Sequence, residues 1–508
     1  MKYLIIIFPI WVLCNVTIAQ NNTIGVFQNS SDIGNPKKAG SAVYNQADQS
    51  YTLKGGGYNI WFERDEFHFL FNKIKGDFIL TANFEFKGQG KEAHRKTGWM
   101  VRESTDEKSP HITATLHGNG LTVLQWRGVA GVAMRDPQDE IFAKDSSYNV
   151  IQIERAGKNI TMRAARNGKL FDVIGSHDME NLPDEVLVGP FICSHNPEII
   201  EEVKVWNVRI DKPVGDGPTA AGAAPVVGCR METMTVTDGK RKVIYEKQGR
   251  FEAPNWMPDG KKLLFNMDGS LWTIPVEGGA IEKLNTGSVN RLNNDHSISF
   301  NGKLLAISSS VPGSPGGSGV YILPLTGGEP TLITPNTPSY LHGWAPNNEE
   351  VVYVARRDGK TEYNIYRNSI KGGKEVALTN IDKGQHVDGC EYSPDGKYIY
   401  FNGNLNGTMQ IWRIKPDGSG KEQLTFDKNQ NWFPHISPDG KWIALISFPP
   451  EIDPNSHPSY KRVTLRIMPA SGGEPKVIAY LYGGQGTINV TSWSPDSKQI
   501  AFVSNSGK

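Results

Sequence analysis

Six short turns of one kind recur through the second half of the chain, and their period limits the fold more than any other feature. They stand at Pro258-Asp259-Gly260, Phe300-Asn301-Gly302, Pro346-Asn347-Asn348, Pro394-Asp395-Gly396, Pro438-Asp439-Gly440 and Pro495-Asp496-Ser497. An alternating apolar run follows each one, and the spacings are 42, 46, 48, 44 and 57 residues. That is the length of a four-stranded propeller blade. Each unit repeats one grammar: an inner strand, the turn, a core strand, a strand carrying an aromatic such as Trp272 or Trp412, then a Gly-rich hairpin and a short outer strand. The last unit holds half a blade before Lys508, and 234–245 reads as the other half. Two strands from each end are therefore expected to close a six-bladed ring and remove its open edges.

A chain of 508 residues exceeds one ordinary core, so a second domain is expected. The net charge of +1 supplies no basic field for nucleic acid. Residues 1–20 have the form of an export signal: Lys2, an apolar run over 4–13, and Thr17-Ile18-Ala19 before the cut. That run is too short to span a bilayer, so the mature protein is expected in the periplasm or outside, with no membrane span. Cys193, Cys229 and Cys390 sit at unrelated spacings and read as buried thiols rather than a disulfide or zinc framework.

Residues 21–212 contain short alternating strands separated by turns such as Gly118-Asn119-Gly120, and no long 3.6-residue period. A two-sheet sandwich is expected there. Residues 213–230, rich in Pro, Gly and Ala, read as a linker to a propeller over 231–508. The fold class is all-β.

Several strings carry a family resemblance. Trp493-Ser494-Pro495-Asp496-Ser497-Lys498, and Gln410-Ile411-Trp412-Arg413 followed by Lys421-Glu422-Gln423-Leu424-Thr425, resemble the TolB-like propeller family. An exported subgroup of that family is similar at 251–256, at Asn293-Asn294-Asp295-His296, at Tyr340-Leu341-His342-Gly343-Trp344 and at Asn431-Trp432-Phe433-Pro434-His435. The chain departs from the pattern at Phe300-Asn301, where Pro-Asp is usual. The first domain resembles concanavalin-like sandwiches through Asn59-Ile60-Trp61, Asp65-Glu66-Phe67-His68-Phe69 and 96–104. Such sandwiches occur beside carbohydrate-active modules. The TolB resemblance instead implies docking of an envelope protein on the propeller.

Counting back from each turn gives the residues that a closed ring brings to one channel mouth. Glu252, Asn255, Arg291, Asn294, Asp295, His296, His342, His386, Asp388, Trp432, His435 and Asn489 all fall on or beside innermost strands. Residues two apart share a strand face, which pairs Glu252 with Pro254, Asn294 with His296, Tyr340 with His342 and His386 with Asp388, and leaves His435 one step out of register. Three readings of this convergence stand side by side. In acid–base catalysis, Glu252, His296, His342, Asp388 and His435 are the candidates. In divalent metal binding, Asp295, His296, His342 and Asp388 are the ligands. The third is a water-filled polar channel.

Substrate contacts are expected from Asn255, Arg291, Asn294, Trp432 and Asn489. The long excursion over 448–462 adds Lys461 and Arg462 for an anionic substrate, and Trp126 and Arg127 offer a stacking platform on the sandwich. Oligogalacturonate lyase, a propeller of similar appearance, shows by analogy that such a ring can perform elimination on glycans. No phosphate-binding glycine loop, nucleophile elbow or HExxH helix occurs. The leading expectation is an exported carbohydrate-active protein that binds a glycan, with lyase or hydrolase chemistry at the channel mouth. The alternative is a non-enzymatic envelope protein that binds a protein partner.

Overall fold

The computed structural model describes residues 23–215, 227–314 and 316–507. The expected leader, and residues 216–226 of the expected linker, lie outside that description. The described residues contain strands and turns and no helix, so none is long and apolar enough to cross a membrane.

Two seven-stranded antiparallel sheets form the first domain. One runs in the order Asn29–Ile33, Phe67–Lys75, Glu185–Cys193, Lys96–Arg102, His111–His117, Thr122–Arg127, Glu140–Phe142. The other runs Asp172–Asp178, Asn159–Ala165, Val150–Ala156, Phe78–Phe86, Glu201–Asp211, Ser50–Gly55, Ser41–Asn45. Alternation sends Trp99 and Val101 of the first sheet and Leu80 and Ile153 of the second into one shared core.

The second domain is a six-bladed propeller. Five blades are four-stranded antiparallel sheets whose inner strands are Phe251–Trp256, Leu292–Ile298, Ser339–Trp344, Val387–Tyr392 and Gln430–Ile436. Period 2 explains how blades stack: Leu263 and Phe265 of one strand join one core, while Leu264 between them joins the next. The sixth blade joins Val227–Thr235 and Arg241–Gln248 from the start of the domain to Gln499–Gly507 from its end. Its innermost position is reduced to a bridge between Trp493 and Ile500. Both ends thus close the ring, with three regular strands where four were expected. Residues 227–230, read as linker, are the start of a strand. Cys193, Cys229 and Cys390 are free and buried.

The two domains share a buried charge network. Glu232 of the closing blade accepts from Arg241 Nε at 3.0 Å and Nη2 at 2.8 Å, and pairs with Arg209 of the first domain. Arg230 reaches back to Asp211 at 2.5 Å. Burial opposes ionisation of Glu232, yet the two guanidiniums hold its carboxyl far below the usual range.

Candidate functional site at the channel mouth

Every one of the five four-stranded blades breaks register inside its innermost strand: between Glu252 and Asn255, Leu292 and His296, Leu341 and Gly343, Asp388 and Glu391, and Trp432 and His435. In three of them a residue takes left-handed backbone, Ala253 at φ 58°, Gly389 at φ 58° and Phe433 at φ 50°. Such bulges interrupt the alternation of faces. One part of each inner strand therefore serves one mouth of the channel, and the remainder serves the other.

The first mouth is a cavity of about 350 Å³, lined among others by Asn294, Asp295, His342, Asp388 and Asn489. These five expected residues are brought together, and His386, the sixth, lines the cavity with them. Asp388 is the electrostatic centre. Its Oδ1 lies 2.7 Å from His342 Nε2 and accepts the Gly389 N–H at 2.9 Å. Its Oδ2 stands 3.9 Å from His386 Nε2 and 3.8 Å from His457 Nε2. Burial works against the carboxylate, but the charge and contact of His342, and then His386, hold Asp388 well below the usual range. The same pairing outweighs the burial of His342 and raises its imidazole above the ordinary value. Asp295 has no such cation in contact, and burial pushes its carboxyl up to about 7. His457 is lowered by burial.

Other expected residues go elsewhere. Glu252 stands beside the mouth, where it accepts from Arg250 at 2.8 Å and from Asn294 Nδ2 at 3.2 Å. Arg291 is exposed and does not line the cavity. Trp432 is fully buried behind His386 and His457, with ring centroids 5.7 and 4.5 Å away, and Phe433 takes the lining position. Asn255 lies on the far side of the bulge, in the cavity at the opposite mouth. His435 is locked there too: its Nδ1 is 2.9 Å from Glu391, which also accepts from Thr491 Oγ1 at 3.0 Å. The acid–base role expected of His435 is corrected by this partnership, since the ring does not reach the first mouth.

His296 is buried away from the lining, and burial drives its imidazole down to about 4. The expected metal set of Asp295, His296, His342 and Asp388 is therefore not assembled. Among the described residues no three His, Cys, Asp or Glu side chains are grouped to hold a metal ion. The substrate role expected of Lys461 and Arg462 at the mouth is also corrected. Both lie on the strand Lys461–Pro469, and Arg462 turns to Glu154 of the first domain at 2.8 Å. The loop over 448–462 does reach the mouth, through His457. On the sandwich, Trp126 lies in the core with its ring stacked on His177 at 3.8 Å, and Arg127 is buried against Asp65. They form no exposed platform.

Beyond the expected site residues, the mouth is completed by Asn293, Tyr340, Val354, Tyr363, Phe433, His457 and Gln485. Tyr340 follows from the strand alternation that pairs it with His342. Gln485 and Tyr363 sit on connections whose course no local spacing defines. Chemically, the cavity offers amide, phenol and imidazole groups around a carboxylate already countered by His342.

Residues 343–453 match the family described as TolB beta propeller domain. An uncharacterized protein of Agrobacterium fabrum is 42% identical over 274 residues, which is 54% of this chain and 91% of that protein. A TolB-type structure from Agrobacterium tumefaciens shares 40% identity at a TM-score of 0.52, covering 55% of this chain and 98% of that one. The Tol-Pal system protein TolB of Francisella tularensis is 25% identical over 214 residues, 41% of this chain and 48% of its own length.

Proposed function

The chain belongs to the TolB-like β-propeller family, and we propose that it is a non-enzymatic, exported protein of the cell envelope whose channel mouth holds a segment of a protein partner. The observation that carries this reading is the lining of the mouth. Asn293, Asn294, Gln485 and Asn489 present amides, Tyr340 and Tyr363 present phenols, and Phe433 presents an apolar ring. Amides and phenols pair with the donors and acceptors of a polypeptide backbone, and the aromatic groups take its side chains. Relatives named for the Tol-Pal system support a periplasmic setting and an envelope partner. In this reading the first domain, concanavalin-like in its resemblance, is joined to the propeller through the Glu232 network.

A photo-crosslinking residue at Gln485 in the native host tests the proposal. The expected result is a covalent adduct with one envelope protein that Asp388→Asn depletes. Adducts unaffected by Asp388→Asn would overturn it.

A second reading, chemistry on a glycan at the same mouth, is favoured by the place of Asp295, a buried carboxyl in the lining beside His342 and Asp388. Burial raises it to about 7, which suits a general acid or base at neutral pH. Turnover of uronate-containing oligosaccharides that Asp295→Asn abolishes would establish this reading in place of the first.

A further inference from the structure

A third cavity, of about 730 Å³, opens between the first domain and the fifth blade and shares no lining residue with the channel mouth. One wall is the edge of the sheet that ends in Asp172–Asp178, where Leu170 and Val173 stand 41% and 66% exposed. The facing wall holds Pro449, Pro450 and Arg462. The domains are pinned together beside it. Phe171 and Tyr480 pack with ring centroids 4.2 Å apart, and the Val477 N–H donates to the Gly168 carbonyl at 3.0 Å.

The charge distribution in the cleft is unbalanced. Arg163 Nη1 at 2.6 Å and Arg462 Nη1 at 2.8 Å converge on one oxygen, Oε2 of Glu154. Burial first, and then the charge of Arg462, lowers the Arg163 guanidinium. Asp427 on the same cleft is occupied by Arg466 at 2.7 Å. Lys428 and Glu451, both exposed, complete the charged lining. Of the lining groups, Arg163, Arg462 and Lys428 thus face Asp427 and Glu451, one cation in excess, and Glu154 and Arg466 behind them, opposite in charge, leave that balance unchanged.

We propose that this interdomain cleft binds an amphipathic organic anion, with a carboxylate or sulfonate head on Arg163 and Arg462 and an apolar body against Leu170, Val173 and the Pro449-Pro450 corner. A guanidinium has five donors in a planar fork, and one shared carboxylate oxygen engages a single nitrogen of each. A second anion would use the donors left over and relieve the repulsion between two like charges. A purely polar anion leaves Leu170 and Val173 against water, whereas an apolar chain covers them. The volume falls within the ordinary range for small-molecule sites, which favour domain interfaces.

The test uses the two-domain chain, residues 21–508, titrated with 1-anilinonaphthalene-8-sulfonate and followed by fluorescence. The expected result is saturable binding that decanoate reverses and decyltrimethylammonium does not. Arg462→Ala should weaken it about tenfold, the loss of one charge-assisted hydrogen bond. Val173→Asp, at an exposed site that leaves the core alone, should weaken it comparably. Wild-type affinity in both cleft variants would overturn the proposal. So would equal displacement by the cationic amphiphile, or a signal that never saturates.

Discussion

His342 Nε2 and Asp388 Oδ1 lie 2.7 Å apart on the inner strands of neighbouring blades, Ser339–Trp344 and Val387–Tyr392, and so tie those blades together at the channel mouth. The folded state raises the imidazole and depresses the carboxyl. The His342 contribution is therefore complete below the unfolded value of 6.5 and is lost as pH rises through its folded value. The Asp388 contribution is present above 3.8 and is lost on acidification. Asp388→Asn should destabilise the protein by about 3 kcal/mol, the penalty for stripping the partner from a buried charge. The His342 imidazole in that variant should titrate below its wild-type position. Urea unfolding and a histidine proton titration read the two effects, and an unmoved titration would remove Asp388 as the controlling charge.

Asp295 should give the opposite pH signature. Its carboxyl rises from 3.8 to about 7, so the folded state binds this proton more tightly than the unfolded chain does. Stability from this group is greatest below 3.8 and declines as pH rises through about 7. Asp295→Asn should flatten that decline, gaining up to a few kcal/mol over wild type at pH 8 and little at pH 4. Unfolding midpoints at the two pH values decide it, and equal differences at both would show that Asp295 is ionised and solvated.

The parts of the site that were legible in the sequence are those on which backbone geometry repeats. Six turns at blade spacing located the inner strands, and with them Asn294, Asp295, His342, Asp388 and Asn489. Asn255 is turned to the opposite mouth by the bulge at Glu252/Asn255, and His435, which the alternation leaves one step out of register, lies beyond the bulge at Trp432/His435, because a bulge shifts every later side chain to another face. Trp432 stands before its blade's bulge, paired with Ile446 and buried, and Phe433, at φ 50° within the bulge, turns to the mouth instead. Arg462 was assigned to the mouth because it belongs to a long loop. The carboxylate it finds, Glu154, comes from a domain more than three hundred residues earlier, and no spacing within the propeller encodes that packing.

Glu232 should be the most sensitive single position for the union of the domains. It is fully buried and holds Arg241 by two hydrogen bonds while pairing with Arg209 across the boundary. Glu232→Ala leaves two buried guanidiniums without that anion and should lower stability by about 3–5 kcal/mol. It should also split one unfolding transition into two, since Arg209 anchors the first domain to the propeller through this residue. A single transition with a shift under about 1 kcal/mol would place the coupling in the surrounding apolar contacts instead.

Gly389 should be intolerant of a side chain for two separable reasons. Its φ of 58° is left-handed backbone, where a Cβ is strained by about 1 kcal/mol. An added Cβ would also stand 2.5 Å from Asn402 Oδ1 and 3.1 Å from the Phe433 ring. Asn402 Oδ1 accepts the Phe433 N–H at 3.0 Å, so pushing it aside releases the bulge that presents Phe433 to the mouth. Gly389→Ala should therefore lower stability and also reduce capture of the partner by the Gln485 crosslinker. Asn402→Ala removes the same acceptor without adding a Cβ. If Phe433 is the point of failure, both variants should lose crosslinking to a similar degree, although only Gly389→Ala carries the backbone strain. Loss confined to Gly389→Ala would instead assign the effect to the Asp388 carboxylate, whose Oδ1 accepts the Gly389 N–H.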